Sequence, residues 1–169
     1  MKKLIINSDD YGRSHEISEG IRLAHRHGVI TSTTCMMNIP NLKIEEVKAE
    51  WHAQIEAFIQ AAGKKPDHLD SHHHSSYFAP ELFRAMLELA KEYDCPIRYP
   101  FAGGISGELR ETYKQTPALL KEFTPKHPDV FIVDFYDKQA TADVLTELLS
   151  NVDEGTSELM CHVGFVPDA

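Results

Sequence analysis

Leu4-Ile5-Ile6-Asn7-Ser8-Asp9-Asp10-Tyr11-Gly12 is the stretch on which the fold turns. Lys3 to Asn7 is a short apolar run, suited to a strand covered on both faces. It ends in two adjacent carboxylates. Beyond it, Ser14 is placed to cap a helix through His27, with Ile17, Ile21 and Ala24 on one face and Gly28 as its stop. Val29 to Met37 is rich in β-branched residues and reads as the next strand. Strand, helix and strand in that order point to parallel pairing.

The alternation continues outward. Glu45 to Ala62 carries Val47, Trp51, Ile55, Phe58, Ile59 and Ala62 at helical spacing and is closed by Gly63. Asp67 to His72 reads as a strand ending in polar residues. Pro80 suits a helix first turn, with Phe83, Met86, Leu87 and Ala90 as the inner face. Pro96 to Phe101 is a short strand candidate, and Thr116 to Phe123 a helix. Phe131 to Phe135 reads as a strand. Thr141 caps a helix bearing Val144, Leu145, Leu148 and Leu149, and Glu158 to Phe165 is the final strand. The pattern implies a mostly parallel sheet or a (β/α) barrel. In both, function gathers at the carboxyl ends of the strands.

Composition narrows the classes. The 169 residues suit a single domain over 1–169 with one sizeable core. Net charge is -9, with no run of Lys or Arg, which argues against a nucleic-acid partner. No apolar stretch approaches a membrane span. The Lys2-Lys3 start resembles a signal-peptide head, but its apolar run is too short and Asp9-Asp10 follow at once. Cys35, Cys95 and Cys161 are widely spaced without a Cys-x-x-Cys pair, so buried thiols in a reducing cytoplasm are expected.

Five segments carry chemistry. In Asp9-Asp10, one carboxylate can hold a metal while its neighbour acts as a base; a turn-forming pair is the alternative. In His68-Leu69-Asp70-Ser71-His72-His73-His74, strand alternation sends His68, Asp70 and His72 to one face. Imidazole suits zinc and other divalent transition metals, and an accompanying carboxylate suits harder ions; an exposed histidine tract is the alternative. Arg98 at a strand end can clamp a carboxylate with paired hydrogen bonds. His162 follows the last apolar run as a candidate acid or ligand, and Asp134 is a weaker candidate of the same kind.

Together these segments resemble the YdjC-like family of carbohydrate (chitooligosaccharide) deacetylases. The resemblance rests on Ile6 to Gly12, on Gly28-Val29-Ile30-Thr31-Ser32-Thr33-Thr34 and on His68 to His74. Ile97-Arg98-Tyr99-Pro100 and Glu158-Leu159-Met160-Cys161-His162 extend it. It implies an α/β fold, a deformed (β/α) barrel with mostly parallel strands related to polysaccharide deacetylase barrels. It implies removal of N-acetyl groups from chitooligosaccharides or related sugars, a divalent metal (magnesium or zinc) and a homodimer. By the same resemblance Asp10 and His72 are metal ligands, and Asp9 is the base that activates the attacking water. Arg98 positions such a base, and His162 is the acid or oxyanion partner.

One departure stands out. The family pattern carries a strand with Gly-x-His-Leu, whose His is a further metal ligand, before the helix that starts near Glu45. Here Asn41 runs almost directly into that helix, and the chain stops soon after the last motif. A segment near 41–45 and a C-terminal part are therefore expected to be missing. No Gly-x-Ser-x-Gly elbow and no Gly-x-Gly-x-x-Gly or Walker pattern occurs, which counts against serine esterases and nucleotide enzymes. The rivals are a metal-dependent hydrolase of a phosphorylated disaccharide, and a non-catalytic sugar- or metal-binding protein.

Overall fold

The computed structural model describes residues 1–35, 44–103 and 110–164. It divides into two compact units, Met1–Met36 with Pro128–Ala169, and Met37–His127. Met36 and Met37 of the second expected strand, the gap after Asn41 and Phe165 lie outside the described residues.

The first unit is built on a four-stranded parallel sheet. Its strands are β1 (Lys2–Tyr11), β2 (Ser32–Cys35), β3 (Val130–Ile132) and β4 (Gly155–Cys161), in the order β2-β1-β4-β3. Every pairing is parallel, as an α/β fold with mostly parallel strands requires. β1 and β4 pair along their length, from Lys2 against Gly155 to Ser8 against Cys161. β1 runs further than its apolar residues suggest. Asn7, Ser8, Asp9 and Asp10 are buried within it, so the polar motif forms the end of the strand and not a loop beyond it.

Helix α1 (His15–His27) begins as its sequence implies. The Ser14 side chain accepts from the Ile17 N–H at 3.3 Å, and the Gly28 N–H closes the last turn on the Ala24 carbonyl at 3.1 Å. A Cβ at Gly28 would stand 2.8 Å from that carbonyl oxygen, so the approach needs glycine. Thr31 then donates its N–H to Ile6 O and accepts from Ile6 N–H on its Oγ1, which sets β2 beside β1. α5 (Ala142–Ser150) is capped by Thr141, whose Oγ1 accepts from Val144 N–H. Its expected inner face is only half-covered: Val144, Leu145 and Leu148 are half-buried and Leu149 is exposed.

The second unit is helical. α2 (Ile44–Ala62), α3 (Pro80–Tyr93) and α4 (Arg110–Phe123) surround a core of Tyr77, Phe83, Met86, Leu87, Ile97 and Phe101. α3 carries Pro80 in its first turn and buries Phe83, Met86, Leu87 and Ala90, the four residues its spacing marks. It ends at Asp94 in the left-handed region, φ 53°. α4 is longer than the expected Thr116–Phe123 and continues through Pro117. Proline leaves the Tyr113 carbonyl without its helical donor. Thr116 bonds back to the Thr112 carbonyl at 3.0 Å.

Two expected strands are corrected. Asp67–His72 and Pro96–Phe101 meet only in a single parallel bridge, Leu69 to Ile97. His72–Tyr77 and Pro100–Gly103 are short 3-10 turns. The bridge stops because His73 and His74 take φ of 50° and 58°, which turns the chain out of any ladder. No described helix is long and apolar enough to cross a membrane.

Candidate functional site

In the first unit, the carboxyl ends of the parallel strands gather polar side chains. Alternation along β1 puts Asn7 and Asp9 on one face. Asn7 Nδ2 donates to Asp9 Oδ1 at 2.8 Å and to Thr34 Oγ1 at 2.9 Å. Thr34 Oγ1 in turn lies 3.4 Å from the same carboxylate oxygen. All three side chains are buried, so Asp9 is oriented by an amide and a hydroxyl inside the protein. Neither Asn7 nor Thr34 stands out in the sequence, although Asn7 lies one strand period before Asp9.

Asp10 owes its place to a bulge. The pairing of β1 with β2 advances from Ser8–Thr33 to Tyr11–Cys35, three steps on β1 against two on β2. Asp10 takes φ 76°, a conformation uncommon for a residue with a side chain. Its Oδ2 accepts from Arg13 at 3.0 Å, and its carbonyl accepts the Arg13 N–H at 3.1 Å. The adjacent carboxylates therefore differ: Asp9 stays in strand alternation, while Asp10 is re-aimed by the extra residue.

His162 directly follows β4, one residue past the Cys161 that pairs with Ser8. Parallel register thus brings Asp9, Asp10 and His162 to one edge of the sheet. The Val163 N–H donates to Ser8 Oγ at 3.1 Å and ties the segment after β4 to β1. His162 is exposed, and its ring meets that of Tyr136 at 5.2 Å between centroids. Asp134 lies beyond β3 and is exposed.

In the second unit, the structure joins Arg98 to the histidine segment. Arg98 Nη1 lies 2.7 Å from Asp70 Oδ2, and the two side chains are 0% and 1% exposed. Asp70 is the partner that sequence reading did not assign. His72 opens the turn and is half-buried; its ring packs edge-on to His73 at 4.1 Å. The strand face expected to unite His68, Asp70 and His72 does not form. His68 instead pairs through Nδ1 with Asp67 at 2.7 Å, and that bond holds the Asp67 carboxyl below its usual range.

A carboxylate such as Asp10 and an imidazole such as His72 suit a divalent cation in kind. A hydrolytic metal typically uses three protein ligands and one open position. Among the described residues, no group of three or more His, Cys, Asp or Glu side chains is arranged to hold a metal ion. Asp10 in the first unit and His72 in the second are each a donor of a suitable kind.

The chain is similar to several known proteins. A carbohydrate deacetylase from Enterococcus faecalis is 27% identical over 224 aligned positions, covering 98% of this chain and 82% of the relative. A chitooligosaccharide deacetylase from Yersinia enterocolitica is 25% identical over 221 positions, covering 98% of this chain and 83% of that protein. A solved structure from Enterococcus faecalis, described as a candidate cellobiose-phosphate cleavage protein, matches with a TM-score of 0.78 and 27% identity. It covers 98% of this chain and 82% of that one. An alignment of 224 positions exceeds a chain of 169 residues by 55, so at least that many positions of the first relative face no residue here. A family model described as YdjC-like protein matches residues 3–44 and 41–169, two stretches that overlap at residues 41–44. By a match that reaches from residue 3 to residue 169, this chain belongs to the YdjC-like protein family.

Proposed function

We propose that the chain is a carbohydrate deacetylase that hydrolyses N-acetyl groups from small sugars such as chitooligosaccharides. The observation that carries the reading is the buried Asp9 carboxylate, oriented by Asn7 and Thr34 at the carboxyl edge of a parallel sheet. Family membership and the names of the relatives supply the substrate class. In this reading Asp9 accepts the proton of the attacking water. His162 delivers a proton to the departing sugar amine, since imidazole can donate near neutral pH. Asp10 and His72 are the proposed ligands of a magnesium or zinc ion. Such an ion lowers the pKa of water from about 15.7 towards about 7 and polarises the acetyl carbonyl. The reading extends to a cytoplasmic homodimer.

Hydrolysis of a phosphorylated disaccharide is the second reading, favoured by the description of the Enterococcus faecalis structure. Such a substrate calls for clustered cations, and Arg13 is the cation at the Asp10 bulge. One assay separates the readings. The chain is incubated with magnesium or zinc and with either an N-acetylated chitooligosaccharide or cellobiose phosphate. Release of acetate is the expected result. Release of glucose from cellobiose phosphate without acetate from the other sugar would favour the second reading. Sugar or metal binding without either product would leave a binding protein.

A further inference from the structure

We propose that Asp70 is a positioning residue for His72, acting through its buried ion pair with Arg98; this rests on the reading of His72 as a metal ligand. Charged groups this deeply buried are found paired, and Asp70 and Arg98 are 2.7 Å apart. Stability alone does not call for them, because an apolar pair of like volume is often as stable. Their distinguishing property is what they hold.

The other Asp70 oxygen accepts the Ser71 N–H. The Ser71 carbonyl accepts the His74 N–H at 3.1 Å, and Ser71 Oγ accepts the Ser76 N–H at 2.8 Å. At the far end of the turn, the Tyr77 hydroxyl donates to the Arg98 carbonyl at 2.6 Å. Arg98 N–H itself donates to the Leu69 carbonyl at 3.0 Å. Both ends of the His72–Tyr77 turn are thus tied to the pair. Between them His73 and His74 sit at φ 50° and 58°. Consecutive left-handed residues with side chains persist only where the surroundings over-determine them. His72 enters that turn, so the direction of its imidazole follows from a geometry that Asp70 and Arg98 maintain.

The test uses two variants of the full chain, with His72→Ala as control. Asp70→Asn removes one charge of the buried pair and keeps the other, so it risks unfolding. Asp70→Leu with Arg98→Met removes both charges at similar volume. Melting by circular dichroism reports the fold, and hydrogen exchange of residues 71–78 in metal-free protein reports the turn. Calorimetric titration with zinc reports affinity, and kcat and KM for acetate release are measured separately. The expected double variant melts near wild type and exchanges its turn amides at least ten-fold faster. It should bind zinc roughly 10- to 100-fold more weakly, the usual range for groups that orient a ligand, and lose kcat with KM little changed. A folded double variant with wild-type exchange and wild-type zinc affinity would overturn the proposal. So would a double variant that fails to fold, which would make the pair a folding element. If His72→Ala binds zinc as wild type does, the ligand reading fails, and the exchange measurement alone then decides whether Asp70 sets the turn.

Discussion

At the residue scale, the adjacent carboxylates Asp9 and Asp10 share a strand and differ in backbone. Asp9 keeps strand alternation and receives hydrogen bonds from Asn7 and Thr34; Asp10 sits at φ 76° in a bulge and pairs with Arg13. Separate environments suit separate roles. Asp9→Asn should leave metal content nearly unchanged and cut acetate release by roughly 10²–10⁴-fold, the usual worth of a general base. Asp10→Asn should lose metal and activity together. Elemental analysis beside the activity assay checks both, and the opposite pattern would exchange the two assignments. The doubled aspartate was legible in the sequence. What holds each one was not, because Thr34 reaches Asp9 only through the parallel register of β1 and β2.

At the element scale, the helices could be read from their ends. Ser14 and Thr141 cap the helices their positions suggest, and Pro80 and Gly63 mark a start and a stop. The strands were harder. The apolar run places the end of β1 at Asn7, whereas the strand continues through its polar residues to Tyr11, and β3 stops at Ile132 before the apolar run ends. Around His72 the difference is one of kind: alternation predicts a strand, whereas two left-handed histidines make a turn. Between α2 and α3, Tyr93 donates its hydroxyl to Glu56 at 2.5 Å. Burial, with that bond, pushes the phenol up to about 12 from its ordinary 10. Because the folded-state value is the higher, the folded chain holds the proton more tightly. The associated stability is present below pH 10 and lost as pH rises through about 12. Thermal melts from pH 8 to 12 should therefore fall less steeply in Tyr93→Phe than in wild type. At pH 8 the variant should already be less stable by about 1 kcal/mol, the net worth of a typical hydrogen bond.

At the scale of the whole molecule, the alignment with the first relative leaves at least 55 positions facing no residue. By the resemblance to the family, a Gly-x-His-Leu segment with a further histidine ligand is expected near residues 41–45, where this sequence has none. The chain as written is therefore expected to bind metal weakly and deacetylate poorly. Inserting the corresponding segment of a relative after Asn41 should raise both metal affinity and acetate release, measured by calorimetry and the same assay. Full occupancy with robust turnover in the uninserted chain would show that the third ligand is already present. The parallel sheet carries a different consequence, one of timing. Its central partners β1 and β4 come from opposite ends of the chain, with Lys2 beside Gly155. A ribosome adding about 5–20 residues per second emits β4 roughly 8–30 s after β1. Throughout that interval β1 has no central partner, and the whole helical unit is synthesised within it. The strand that carries Asp9 and Asp10 is thus synthesised before the helical unit and receives its central partner only after that unit, so its β4-facing edge is open to a chaperone that shields nascent strands.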